Sequence, residues 1–328
     1  MWSGPLLAAG ALIAACFAAG QSSDSHPATA AQWVERMVAA TRTLNFHGSF
    51  VYFDGSGISS ARVVHQVAEG GVEVQRVYSL NGTQREVIRH DRKTTLVLPD
   101  GSKLTFADQF RSSLFALAIT DNVDRLNESY RLVLRSEDRV ADRRCQGISI
   151  VPVDEYRYGY DLWLDQETAV LMRADLIGHG NKRLEQLMFT EIHIGERTAD
   201  SDAAEAPDAA TNEPPIESGP ESLQSQAERD WWLEGGPPHF EEVYYGSDAG
   251  EHDGFTDHLV LSDGLATVSV HVQPLVEDQE PVSGLSKMGA VSAYAGTADG
   301  YQFYVVGEVP PATVKAVAKA LRGPGDAR

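Results

Sequence analysis

The sequence predicts an α+β chain of two domains. The first is built on a strongly curved antiparallel sheet or open barrel, the second on a smaller sheet with a terminal helix. Three observations carry this. About ten strand-like runs with short connections fill residues 48–194, and such connections join antiparallel neighbours. Only two helical stretches accompany those strands. An acidic stretch without apolar periodicity then divides the chain.

The first twenty residues, MWSGPLLAAGALIAACFAAG, are apolar and small from Leu6 to Ala19. They read as a secretory signal peptide, residues 1–20, although no Lys or Arg precedes the apolar run. Ile13-Ala14-Ala15-Cys16 also has the form of a lipoprotein cleavage box, so lipid anchoring at Cys16 is the lesser alternative. Cys145 is the only other cysteine, which leaves no internal disulfide in a processed chain. A lone Cys in a strand-like run reads as a small buried hydrophobe.

The mature first domain, residues 27–197, opens with a helix. Thr29 and Gln32 have capping-box spacing, and Trp33, Met37, Ala40 and Leu44 recur at helical intervals. The runs GSFVYFD, ARVVHQV, VEVQRVYSL, TQREVIRHD and TTLVLPD follow, separated by Gly-rich or Asn-Gly turns. FADQFRSSLFALAI (106–119) predicts a second helix, with Phe106, Phe110, Leu114 and Leu117 on one face. Strands resume as SYRLVLRSE, QGISIVPVD, GYDLWLD, AVLMRADL and RLEQLMFTEIHI. Residues 198–225 carry seven acids and no base among Ala, Pro and Ser, a composition that predicts a solvated linker.

In the second domain, residues 226–323, LVLSDGLATVSVHV alternates around an Asp-Gly pair and predicts a hairpin with a tight turn. KMGAVSAYAG and GYQFYVVGEV read as further strands. PATVKAVAKALRGPG reads as a helix started by Pro311, striped by Val314, Val317, Ala318 and Leu321, and stopped by Gly323-Pro324-Gly325.

The formal charge of −20 argues against a nucleic-acid or anionic-membrane partner. It is unevenly spread: residues 27–197 hold 21 basic and 23 acidic side chains, residues 226–328 hold 6 and 16. A charged partner of the second domain should therefore be basic and its binding salt-sensitive. No catalytic or nucleotide-binding motif is present, so the chain reads as non-enzymatic and without a cofactor. In EHDGFTDH, His252, Asp253, Asp257 and His258 could be drawn as a metal site, but solvated loop charge is the preferred reading. Aromatics alternating with Arg, in FVYF and DEYRYGYDLWLD, fit an apolar cavity with an anion-binding rim, as a phosphorylated lipid requires. They equally fit a core with outward charges.

Four stretches make the chain similar to one family. They are NFHGSFVYFDG with SLNGTQREVIR; DRVADRRCQGISIVPVDEYRYGYDLWLD; HLVLSDGLATVSV; and GAVSAYAG with VVGEVPPATVKAVA. Together they resemble the MucB/RseB family of periplasmic negative regulators of an envelope-stress, alginate-type sigma factor. The chain departs from the family's strings with Gln75-Arg76 in place of Glu-Arg, and with Asp142 and His239 where glycine is expected. The resemblance implies a first domain like the LolA/LolB lipoprotein carriers, an unclosed half β-barrel with helices in its mouth. It implies a transmembrane anti-sigma factor of the MucA/RseA type as partner, shielded from regulated proteolysis and contacted mostly by the second domain. It further implies release by lipopolysaccharide or a related lipid, and homo-oligomers. A lipid or lipoprotein carrier without the anti-sigma role is the alternative. Candidate lipid-contacting residues are Phe50, Tyr52, Phe106, Phe110, Leu114, Phe115, Trp163 and Met172, with Arg111, Arg143, Arg144 and Arg157 for phosphates. Candidate partner-contacting residues are Ser262, Asp263, Gly264, Val306, Gly307 and Glu308.

Overall fold

The computed structural model describes residues 29–68, 71–90, 93–107, 123–195, 229–247, 256–276 and 280–325. The expected signal peptide with Cys16, the linker 198–225, and residues 108–119 of the expected second helix lie outside these.

Helix α1 (Ala30–Thr43) starts where the sequence places it. Thr29 Oγ1 accepts from the Gln32 N–H at 3.2 Å, and Gln32 Oε1 accepts from the Thr29 N–H at 3.1 Å. Two otherwise orphaned donors are thereby satisfied. Trp33, Val34, Met37 and Ala40 form its buried stripe, and full burial of each large side chain contributes about 2–3 kcal/mol.

Twelve antiparallel strands make the first sheet. They are β1 (Phe46–Phe53), β2 (Ile58–Val67), β3 (Glu73–Ser79), β4 (Glu86–His90), β5 (Lys93–Val97), β6 (Lys103–Ala107), β7 (Tyr130–Leu134), β8 (Asp138–Val140), β9 (Arg143–Pro152), β10 (Gly159–Asp165), β11 (Leu171–Gly178) and β12 (Lys182–Ile194). The order is β6-β5-β4-β3-β2-β1-β12-β11-β10-β9-β7, with β8 beside β9; β6 and β7 end the order and do not pair, so the sheet is not closed into a barrel. Phe106 belongs to β6, opposite Thr94, where the sequence predicted the start of a helix. A short helix not expected from the sequence, α2 (Val123–Ser129), leads into β7. Gly48 lies where β1 presses on β12: a Cβ there would come within 2.3 Å of the Glu191 carbonyl oxygen.

The two wings of this sheet differ in cover. Strands β9 and β10 each contain four consecutive buried residues, whereas β3 is half-buried along its whole length. Helix α1 covers one face of the β9–β10 wing: Trp33, Val34 and Met37 pack with Leu126, Tyr130, Ile148, Ile150, Leu162 and Leu164.

The second sheet comprises β14 (Glu241–Ser247), β15 (Asp257–Ser262), β16 (Thr267–Pro274), β17 (Gly284–Met288), β18 (Val291–Ala298) and β19 (Tyr301–Gly307), in the order β14-β15-β16-β19-β18-β17. The run KMGAVSAYAG, expected as one strand, breaks at Gly289, whose φ of 60° opens a turn between β17 and β18. Helix α3 (Pro311–Ala320) covers one face, burying Val314 and Val317 against Leu259, Val268, Val270, Phe303 and Val305. A two-stranded pair, β13 (Trp232–Leu233) with β20 (Leu321–Arg322), ties the two ends of this domain together.

Candidate functional site

The Asp-Gly turn that joins β15 to β16 is a four-residue loop, 263–266, rather than the tight turn expected. Gly264 supplies its left-handed position at φ 95°. Asp263 Oδ1 accepts from the backbone N–H of Leu265 at 2.9 Å and of Ala266 at 2.7 Å, which holds the loop. Its other oxygen looks out of the domain. Asp263 Oδ2 accepts from the Tyr130 hydroxyl at 2.9 Å and from Arg157 Nη1 at 3.0 Å, both in the first domain.

Arg157 completes the junction. Its Nε donates to Asp154 Oδ1 at 3.0 Å and its Nη2 to the Pro238 carbonyl at 2.6 Å. The guanidinium lies 5.6 Å from the Tyr130 ring centre and 5.1 Å from that of Phe240, within cation–π range. The Arg157 and Asp263 side chains are both 0% exposed. Burial, and then the Asp263 charge, hold the Tyr130 phenol well above the usual tyrosine range. Leu265 inserts into the α1 core beside these groups. The Thr313 hydroxyl donates to the Tyr156 carbonyl, and Tyr158 and Leu176 pack with Ala290. The two domains therefore meet along a seam that contains polar and apolar contacts.

A second cluster flanks the seam. The Tyr52 hydroxyl donates to Glu185 Oε2 at 2.6 Å. Burial raises the Glu185 carboxyl, the Tyr52 hydrogen bond opposes this, and the Asp54 charge adds to it. Burial raises Tyr52, followed by Glu185 and, from the second domain, Glu308. Tyr52, an expected lipid contact, and Glu308, an expected partner contact, thus lie in one another's field. Glu185 was not singled out in the sequence, yet it alternates with Leu187 and Phe189 on one strand face. An acid in an inward row is the signal that could have found it.

The remaining candidates fall in several places. Phe50, Trp163 and Met172 share a buried cluster with Phe46 and Phe189, and Tyr52 packs against it. The Arg173 guanidinium covers the Trp163 ring at 4.1 Å. Phe110, Arg111, Leu114 and Phe115 lie outside the described residues. Arg143 grips Asp165 through two hydrogen bonds of 2.8 and 3.0 Å, while the Thr168 N–H and hydroxyl donate to the same carboxylate. Burial alone would raise Asp165; Arg143 and Thr168 outweigh it and hold the carboxyl down. Arg143 therefore pins the turn between β10 and β11. Arg144 points outward to Glu137 at 2.8 Å and is 75% exposed. Arg157, expected at a phosphate-binding rim, instead lies inside the seam because its donors are engaged there. Asp263 and Gly264 are buried in the same seam rather than on an open surface, with Ser262 half-buried beside them. Val306 and Gly307 sit at the end of β19, opposite Ser269 and Val268.

Burial pushes the Cys145 thiol up to about 12, which leaves it protonated and inert. In EHDGFTDH, Asp257 accepts from the Tyr245 hydroxyl at 2.5 Å and His258 stacks on His271 at 4.2 Å. His252 and Asp253 lie outside the described residues. Among the described residues no His, Cys, Asp and Glu side chains group as metal ligands, and no helix is long and apolar enough to cross a membrane.

Comparison with known proteins matches both domains. The model of the MucB/RseB N-terminal domain covers residues 29–210, and that of the MucB/RseB C-terminal domain covers residues 225–322. The sigma factor AlgU regulatory protein MucB of Pseudomonas aeruginosa is 30% identical over 302 residues, 90% of this chain and 91% of that protein. The solved complex of Pseudomonas aeruginosa MucA and MucB superposes with a TM-score of 0.71 at 27% identity, covering 90% of this chain and 99% of that one. A crystal structure of MucB superposes with a TM-score of 0.61 at 29% identity, covering 90% and 98%. With two family models matched in order along the chain, over an open sheet and a smaller sheet joined by a buried seam, this protein belongs to the MucB/RseB family.

Proposed function

We propose that this protein is a periplasmic, non-enzymatic regulator. It binds the periplasmic part of a MucA/RseA-type transmembrane anti-sigma factor and hides a cleavable segment from regulated proteolysis. It releases that segment when lipopolysaccharide or a related lipid occupies the first domain. The likeness to the MucA/MucB complex over nearly the whole of that chain carries this reading. Chemistry supports it: the second domain is strongly acidic, and Glu185 and Glu308 flank the seam, so a basic extended segment is a suitable occupant. Residues 1–20 act as the export signal, and homo-oligomers form.

The mechanism is steric. A switch from 1:99 to 99:1 requires the lipid to favour the released state by about 5.5 kcal/mol. The half-buried strands beside Phe50 and Tyr52 offer an apolar surface for acyl chains, and Arg144 is the outward-facing cation among the described members of the expected set.

The test is a calorimetric titration of residues 27–328 with the MucA-type periplasmic segment from the same organism, with and without lipopolysaccharide. Submicromolar affinity that lipid reverses is expected. Lipid binding with no affinity for the segment at any salt concentration would instead favour the carrier reading.

A further inference from the structure

The two strings that mark this chain most distinctively, YRYGYDLWLD and SDGLATVSV, supply the two halves of one buried ion pair. Arg157 comes from the first and Asp263 from the second, 106 residues apart. The contact is more than an attraction between domains. Asp263 divides its oxygens, one holding its own loop and the other reaching Tyr130 and Arg157. Arg157 divides its nitrogens among Asp154, Asp263 and the Pro238 carbonyl. A planar guanidinium held at three points fixes orientation about more than one axis, which a flexible ammonium would not do.

Net stability is a poor reason for such a pair. Replacing a buried ion pair with apolar residues of similar volume is often neutral or stabilising, and its best-attested use is to set register. Leu265 beside it already supplies an apolar contact between the domains. What the pair adds is a defined angle between two domains, on the flank of whose seam the hydrogen-bonded Tyr52 and Glu185 of the first meet the charge of Glu308 of the second. The whole chain in this orientation superposes more closely on MucB complexed with MucA than on MucB alone, a difference between those two structures.

We infer that Arg157 and Asp263, seated by Leu265, are positioning residues that hold the two domains at the angle the anti-sigma segment requires without touching the segment. This rests on the function proposed above. An ordinary domain contact would tolerate loss of the pair's charge; a positioning pair would not.

Asp263→Asn tests it in residues 27–328. The amide keeps an oxygen for the Leu265 and Ala266 N–H groups but turns NH2 donors toward Arg157, so the loop survives and the pair does not. Leu265→Ala perturbs the same junction by different chemistry and serves if the first variant fails to fold. Small-angle scattering reads the relative placement of the domains, and calorimetry reads affinity for the MucA-type periplasmic segment. Both variants are expected to show a larger radius of gyration and at least tenfold weaker binding, with the near-ultraviolet circular dichroism of the two cores retained. A loosened variant that binds within twofold of wild type would overturn the inference, and so would a variant whose scattering is unchanged. Failure of the wild-type chain to bind would strike the partner assignment instead, and scattering would still decide whether the pair fixes the domains.

Discussion

The two domains differ in how each completes its core. In the second domain every buried member of the main cluster, from Trp231 to Leu321, comes from that domain, with α3 closing one face of the sheet. In the first domain the cluster under α1 includes Leu265 from the second, and a smaller cluster joins Tyr158 and Leu176 to Ala290. The main apolar cluster of the smaller domain is therefore complete within it, whereas that of the larger, with an unclosed sheet, is finished by a hairpin tip it does not own. The smaller domain leans on the larger only at the seam, through Asp263, Ala290 and Thr313.

Separating the domains should have the largest effect. Residues 226–323 alone are expected to unfold cooperatively and with the smaller loss of the two, because their main cluster is complete. Residues 27–197 alone should lose about 2–4 kcal/mol, chiefly the roughly 2 kcal/mol from Leu265 burial together with rehydration of the emptied seam. Urea unfolding of both fragments against the full chain measures this. Equal losses in the two fragments would abolish the asymmetry.

How much of this was readable beforehand follows the same division. TVSVHV was legible because its faces alternate and one side is buried, and GYDLWLD because its apolar and aromatic run fits a strand buried on both faces. β8 was not, since only Val140 of its three residues is buried. β14 was not, since it begins with two exposed acids. α2 was missed because a seven-residue helix shows no full apolar stripe. Phe106 and Ala107, the end of β6, were read as the start of a helix because Phe106 fell into a 3.6-residue pattern with Phe110, Leu114 and Leu117. Asp263 was legible in part: its turn-forming oxygen is local chemistry, but its second oxygen meets Tyr130 at a separation of 133 residues. No spacing rule links those two. The aromatic group was legible as a set, while burial of Phe50 and Met172 depends on a cluster assembled from β1, β2, β11 and β12, which no single strand encodes.

Acid should sharpen the comparison at an intermediate magnitude. Burial, aided by the His271 charge, holds His258 down to about 4, and burial also lowers His65 in the first domain. Folded His258 stays neutral while the unfolded chain takes up a proton below about pH 6.5. The unfolded state thus binds more protons between about 6.5 and 4, and stability falls as pH drops through that window and levels off below it. For a partly exposed imidazole the loss should be about 2 kcal/mol. In the isolated second domain, urea midpoints at pH 7 and pH 4.5 should differ accordingly, and His258→Asn should remove most of the difference. An unchanged pH dependence in that variant would assign the acid sensitivity to the carboxylates instead.

The smallest effect concerns Asp142 and His239, the two positions at which the resemblance leads us to expect glycine. Asp142 has φ 64° and His239 has φ 60°, both left-handed. Asp142 shares a two-residue turn with Ala141, at φ 47°, between β8 and β9. His239 lies in the loop whose Pro238 carbonyl receives Arg157, and its Nδ1 is 3.4 Å from Glu128. A side chain in this region costs about 1–2 kcal/mol, and glycine returns roughly 0.5–1 kcal/mol of that as unfolded-state entropy. His239→Gly also gives up a surface contact worth little. Each glycine variant should therefore gain about 0.5 kcal/mol, with Asp142→Gly the lesser because Asp tolerates this conformation. The two differ in where the gain appears. Asp142→Gly should stabilise only the first domain, in the fragment and the full chain alike. His239→Gly should act only when both domains are present and docked, because its loop borders the seam. A gain from His239→Gly in the isolated second domain, equal to that in the full chain, would show that the loop holds its conformation without the seam.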